Sequence, residues 1–135
     1  MSSDELRQLV IQRARERCEY CLMPQKASTI PYQIDHIISK QHGGTDNDSN
    51  LALCCPVCNR YKGPNVATLE PTTGTFVGFF NPRQHVWLDH FRIETGVITG
   101  LTPQGQATVT IFRLNEPVRV TERLNLINLG LYVTD

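Results

Sequence analysis

Along the first third of the chain, apolar residues change from helical to strand-like spacing. Leu6, Leu9 and Val10 recur at helical spacing in a charged segment, which predicts an amphipathic helix over residues 4 to 17, capped by Ser2 or Ser3. Pro24 ends any continuation of that helix. Between Ile30 and Ser39 the period drops to two: Ile30, Tyr32, Ile34, His36 and Ile38 alternate as on a strand, placing Asp35 and His36 on opposite faces. The polar run KQHGGTDNDSN reads as a loop, LALCC as a second short strand, and PVCNRYK as a helix with proline in its first turn. The order is strand, loop, strand, helix.

Beyond Gly63-Pro64 the chain grows richer in Thr, Gly and Phe. EPTTGTFVGFF predicts a hairpin turn leading into a strand, and NPRQHVWLDHF a helix entered through Asn81 and Pro82. Signals conflict over residues 103 to 114. Ala107, Val109 and Ile111 alternate like a strand, but Thr102 and Pro103 suit a helix cap and first position, and the helix is preferred. Leucines from Pro117 to Leu129 predict a closing helix stopped by Gly130. The fold class expected is α+β, one domain over 1–135, with a leading helix (1–17), a cysteine-bracketed centre (18–63) and a mixed α/β extension (64–135).

Composition narrows the class of protein. With 40% hydrophobic and 19% charged residues, the 135-residue chain is globular, and nothing in it reaches the length of a membrane span. A charged N-terminus without an apolar signal segment leads to an expectation of a cytoplasmic protein. Thirteen basic residues balance thirteen acidic ones, so overall charge does not single out a polyanionic partner. Arg13, Arg15, Arg17, Lys40, Arg60, Lys62 and Arg83 nevertheless lie in or beside the cysteine-rich region, which leaves a local basic face open.

Four of the five cysteines form two C-x-x-C pairs, Cys18 with Cys21 and Cys55 with Cys58, a spacing that favours thiolate coordination of structural zinc. Cys54 is expected as a small buried hydrophobe, with a ligand set using it in place of Cys55 as the alternative. Thirty-three residues separate Cys21 from Cys55, more than a plain zinc ribbon uses. That insertion carries Asp35, His36 and Asn50, and Asn59 and Lys62 follow the last cysteine. A zinc-centred fold would bring a carboxylate, an imidazole and two amides together. Such a set suits phosphodiester hydrolysis, which needs a base for water and a hard, oxygen-liganded cation for charge on phosphorus.

IDHIISKQHGG, then SNLALCC, then CPVCNRYKG, resembles the HNH endonucleases over roughly residues 18 to 63. The resemblance implies a ββα-metal finger bracketed by a four-cysteine zinc site. It implies His36 as general base, Asp35 and Asn59 as ligands of a catalytic magnesium or manganese ion, and Asn50 as the residue that fixes the loop and orients His36. Asn59 stands where many members have a second histidine, which makes this a His-Asn-Asn pattern. Lys62 matches the family's trailing basic residue, expected at a phosphate, with Arg60, Lys40 and His42 as further DNA contacts. The products implied are a 5′-phosphate and a 3′-hydroxyl. FFNPRQHVWLDHF and GLTPQGQATV resemble the C-terminal extension of a subset of small bacterial, notably cyanobacterial, HNH proteins. His85 and His90, near Trp87 and Phe91, are read as structural.

Two other classes fit parts of the pattern: a zinc finger that binds nucleic acid without cutting it, and a zinc domain serving protein partners. Only the enzyme needs Asp35, His36 and Asn59 together.

Overall fold

The computed structural model describes residues 1–134. Helix α1 (Ser3–Arg13) begins where Ser2 Oγ accepts the Glu5 amide at 3.1 Å, with Asp4 and Glu5 in the first turn, where a helix favours negative charge. Val10 is fully buried on its inner face. The helix stops at Ala14, because Arg15 and Glu16 turn left-handed at φ 57° and 56°.

Strand β1 (Gln33–His36) pairs antiparallel with β2 (Leu51–Cys54), Asp35 opposite Ala52 and His36 opposite Leu51. The connecting loop contains two single 3-10 turns, Lys40–His42 and Asp48–Asn50. Helix α2 (Pro56–Lys62) follows β2 directly and packs on β1, so β1, β2 and α2 make a ββα unit. β1 is shorter than the alternation predicts, and its inner face differs from the apolar face read from sequence. Ile30 and Ile38 are exposed while Asp35 and Ile37 are buried. Hydropathy does not mark Asp35 as an inward residue because its burial depends on pairing with a lysine distant in sequence, while Tyr32 on the apolar face is buried as well.

The remainder alternates hairpins and helices. Strands β3 (Ala67–Leu69) and β4 (Phe76–Gly78) form the expected hairpin. The helix expected from Asn81 is reduced to α3 (Trp87–His90). Asn81 uses its side chain and backbone on a turn instead: Oδ1 accepts the Arg83 amide, and its own amide donates to His85 Nδ1, both at 2.9 Å. Strands β5 (Phe91–Glu94) and β6 (Val97–Gly100), for which the pattern predicts nothing, pair around Thr95-Gly96 at φ 52° and 81°. Two consecutive positive φ values give the tight turn whose twist suits a hairpin.

Helix α4 (Pro103–Ile111) resolves the conflict in favour of the cap: Thr102 Oγ1 accepts the Gly105 amide at 3.0 Å. Gly105 lies against the β5 entry, where an added Cβ would come 2.2 Å from His90 O. Helix α5 (Pro117–Asn128) ends as expected, with Gly130 at φ 71°. The architecture is α+β, three two-stranded sheets among five helices in the described residues. No helix among them is long and apolar enough to cross a membrane.

The aromatic core joins the cysteine-bracketed region to the extension. Tyr20 packs on Phe112 with ring centroids 5.1 Å apart, Phe112 meets Phe79 edge-on, and Trp87 Nε1 donates to Tyr20 O at 2.9 Å.

Candidate metal centre and active site

The chain from Cys18 to Met23 folds back on itself. The Cys18 amide donates to Met23 O at 3.0 Å and the Leu22 amide to Cys18 O at 2.9 Å, with Leu22 left-handed at φ 63°. Glu19 fastens this turn to the free edge of β2: its amide donates to Leu53 O and its carboxylate accepts the Leu53 amide. Arg83 in turn pairs with Glu19. The second pair sits at the start of α2, where Cys55 is the N-cap and its sulfur accepts the Cys58 amide at 3.4 Å.

The two pairs converge. Cys18, Cys21, Cys55 and Cys58 are buried, and their sulfurs all lie within 4.8 Å of one another, Cys21 and Cys55 at 3.7 Å. Four sulfurs about 2.3 Å from a tetrahedral zinc ion stand roughly 3.8 Å apart, so the nest fits that ion. Burial pushes the Cys18 and Cys58 thiols up, and hydrogen bonds from its three neighbours hold Cys21 down. Four adjacent thiolates need a cation to ionise together. Cys54 is buried but is not among the four sulfurs that lie within 4.8 Å of one another.

The β1–β2 unit presents the remaining candidates. His36, at the end of β1, is half-exposed, and its Nε2 lies 2.8 Å from Asp46 Oδ1. Asp46 also meets Lys40 Nζ at 3.1 Å; hydrogen bonds from His36 and then Lys40 hold its carboxyl below the usual range. An ionised Asp46 only accepts, so His36 Nε2 carries the proton and the lone pair of the neutral ring is on Nδ1. Sequence reasoning missed Asp46, which sits ten residues away in a loop rich in interchangeable Asp and Asn.

Asn50 closes that loop. Its Oδ1 accepts the Ile38 amide, and its Nδ2 donates to Ile38 O and Thr45 O, all within 2.9 Å. Gly44 passes so near that an added Cβ would stand 1.7 Å from Ile38 O. Gly44 of the motif's Gly pair therefore has a steric role, whereas Gly43 serves by its left-handed φ of 88°.

Asp35 turns inward. It accepts from Tyr20 OH at 2.9 Å and pairs with Lys62 Nζ at 3.2 Å, and Lys62 also donates to His36 O at 3.1 Å. Burial raises the Asp35 carboxyl, an effect Lys62 and Tyr20 oppose. Lys62, expected at a phosphate, is 2% exposed. Its ammonium is bonded to the strand that carries Asp35 and His36, because α2 lays its last turn across β1. Asn59 Nδ2 donates to Gln33 Oε1, one side-chain pair further along the same strand.

Several of the basic residues that left a local basic face open are engaged elsewhere. Arg13 bonds Asp48 O and Leu51 O, Arg83 pairs with Glu19, Lys62 is buried, and Lys40 pairs with Asp46. Arg60 is exposed beside the Tyr61 ring, and His42 is exposed in the loop. His85 and His90 pack against each other and Phe80, away from this site.

Residues 18–65 match the family model described as HNH endonuclease. No curated protein and no solved structure matches the chain. The span matched by the HNH endonuclease model runs from the first cysteine of the nest through β1, the His36 loop, β2 and α2.

Proposed function

We propose that the chain is a divalent-metal-dependent endonuclease that hydrolyses DNA phosphodiester bonds with His36 as general base, its fold held by zinc on Cys18, Cys21, Cys55 and Cys58. The observation that carries this reading is the His36–Asp46 contact at 2.8 Å, which fixes the ring through Nε2 and leaves the basic lone pair on Nδ1. In a neutral imidazole that nitrogen is the one free to take a proton from water. The water oxygen attacks phosphorus, the bond to the 3′ oxygen breaks, that oxygen takes a proton from solvent, and the ends are a 5′-phosphate and a 3′-hydroxyl. Asp46 holds the ring and stabilises the imidazolium as it forms, and is a positioning residue. Asn50 holds the segment just after His36.

Asp35 and Asn59 would supply carboxylate and amide oxygens to a hard cation such as magnesium or manganese, Asp35 only by exchanging its buried Lys62 and Tyr20 partners for the ion. When bound, that cation would neutralise charge on phosphorus and on the departing oxygen. Lys62 holds Asp35 and the His36 carbonyl in place, while the exposed Arg60 and His42, and Lys40 from its exposed pair with Asp46, would meet phosphates.

The test is cleavage of supercoiled plasmid with magnesium or manganese, comparing wild type with His36→Ala at equal zinc content and equal thermal stability. Nicked or linear DNA from the wild type alone is the expected result. DNA binding without cleavage under either metal would replace this reading with a zinc finger that binds and does not cut. Absence of binding as well would point to a domain for protein partners.

A further inference from the structure

The C-terminal extension, to which the family match assigns nothing, places a buried cation on the cysteine nest. Arg119, in the first turn of α5, is 7% exposed. One arm of its guanidinium donates from Nη1 to Phe112 O at 2.8 Å and to Arg113 O at 3.2 Å, carbonyls at the end of α4. The other arm reaches Cys58 Sγ at 3.1 Å and Cys55 Sγ at 3.9 Å through Nη2. Near the far end of the chain, Tyr132 OH donates to Cys21 O at 2.5 Å.

Zinc held by four thiolates carries two net negative charges, and in a buried site that surplus is costly unless hydrogen bonds or a cation offset it. A guanidinium is permanently charged and its planar fork serves two acceptor groups at once. Here one side of the fork is held by the helix end and the other faces sulfur. The dependence runs both ways, since Arg119 buried against neutral thiols would lack its counter-charge.

We propose that Arg119 is the outer-shell partner of the four-cysteine zinc site, so that the extension acts as a clamp on the metal and the two are thermodynamically coupled. This rests on the reading that the nest holds zinc. Partners of this kind typically change metal affinity about 10–100-fold.

The experiment is chelator competition for zinc on the full chain, comparing wild type with Arg119→Met, Arg119→Lys and Arg123→Met. Arg123 is the control: it is a fully buried arginine of the same helix, but it donates to Gly96 O and Leu114 O. Expected are one zinc per wild-type chain, affinity at least 10-fold weaker in Arg119→Met, an intermediate value in Arg119→Lys, and little change in Arg123→Met. Equal affinity in Arg119→Met and wild type overturns the proposal. So does equal weakening by Arg119→Met and Arg123→Met, which would mean general loosening of the extension. If Arg119→Met does not fold, hydrogen exchange on wild type decides: stripping zinc should raise exchange around residues 112–123, and unchanged protection there overturns the coupling. A wild type that takes up no zinc defeats the metal reading itself, and the clamp with it.

Discussion

Replacing Lys62 by methionine separates two roles that the motif leaves indistinguishable. Its ammonium and the Asp35 carboxylate are 2% and 7% exposed, lie 3.2 Å apart, and the ammonium also serves His36 O. Methionine fills most of the volume but leaves Asp35 buried with Tyr20 as its donor. Removing one partner of a buried pair costs about 3–5 kcal/mol, against well under about 1 kcal/mol for a solvated surface charge. For a domain of this size that is roughly 10–15 °C in Tm. Burial already raises the Asp35 carboxyl, and losing Lys62 raises it further. A carboxyl raised by folding favours the folded state below its unfolded value and loses that contribution as pH rises through the folded value. The deficit of Lys62→Met should therefore be greatest near neutral pH and shrink towards pH 4. The assay is urea or thermal unfolding with zinc held in excess, across that range, beside the Asp35→Asn/Lys62→Met double variant, which should recover most of the loss. A Lys62→Met protein within about 1 kcal/mol of wild type, but with the salt dependence of DNA binding reduced by one phosphate contact, would refute the buried role and restore the phosphate one.

Two further outcomes follow from exposed carboxylates. Asp46→Asn keeps a hydrogen-bond acceptor for His36 but removes the charge that stabilises its imidazolium; because Asp46 is largely exposed, cleavage should fall only about 3–10-fold, in step with a surface ion pair, and less at high salt. An unchanged rate at low salt in steady-state cleavage would deny Asp46 its positioning role. Glu70 accepts from Thr72 Oγ1 and from the amides of Thr72 and Thr73, and these hold its carboxyl near about 2 instead of the ordinary 4.5. A carboxyl lowered by folding stabilises the turn above its unfolded value and ceases to as pH falls through the folded one. Amide shifts of Thr72 and Thr73 in an NMR titration should move near pH 2, and a midpoint above 4 would show that the turn is open.

Much of this protein is local in its causes, and those parts are legible in the chain. Ser2, Thr102 and Gly130 cap or stop helices through atoms within a few residues, and Pro56, Pro103 and Pro117 each open one. The paired cysteines and the motif around Asp35, His36 and Asn50 point to their chemistry because residue type and spacing carry it. The short α3 and the β5–β6 hairpin were hidden, since Asn81 spends its groups on a turn and the Thr95-Gly96 turn depends on a threonine adopting positive φ. What only the tertiary structure decided is which polar groups meet. Asp35 and Lys62 are 27 residues apart, and each looks like a surface residue by itself; burial is tolerable only because the other is there. Arg119 stands 61 residues from Cys58, with no feature of its own segment to mark it as a neighbour of sulfur. Hydrophobic spacing reports the period of an element, whereas which polar side chains turn inward, and against which partners, depends on the path of the whole chain.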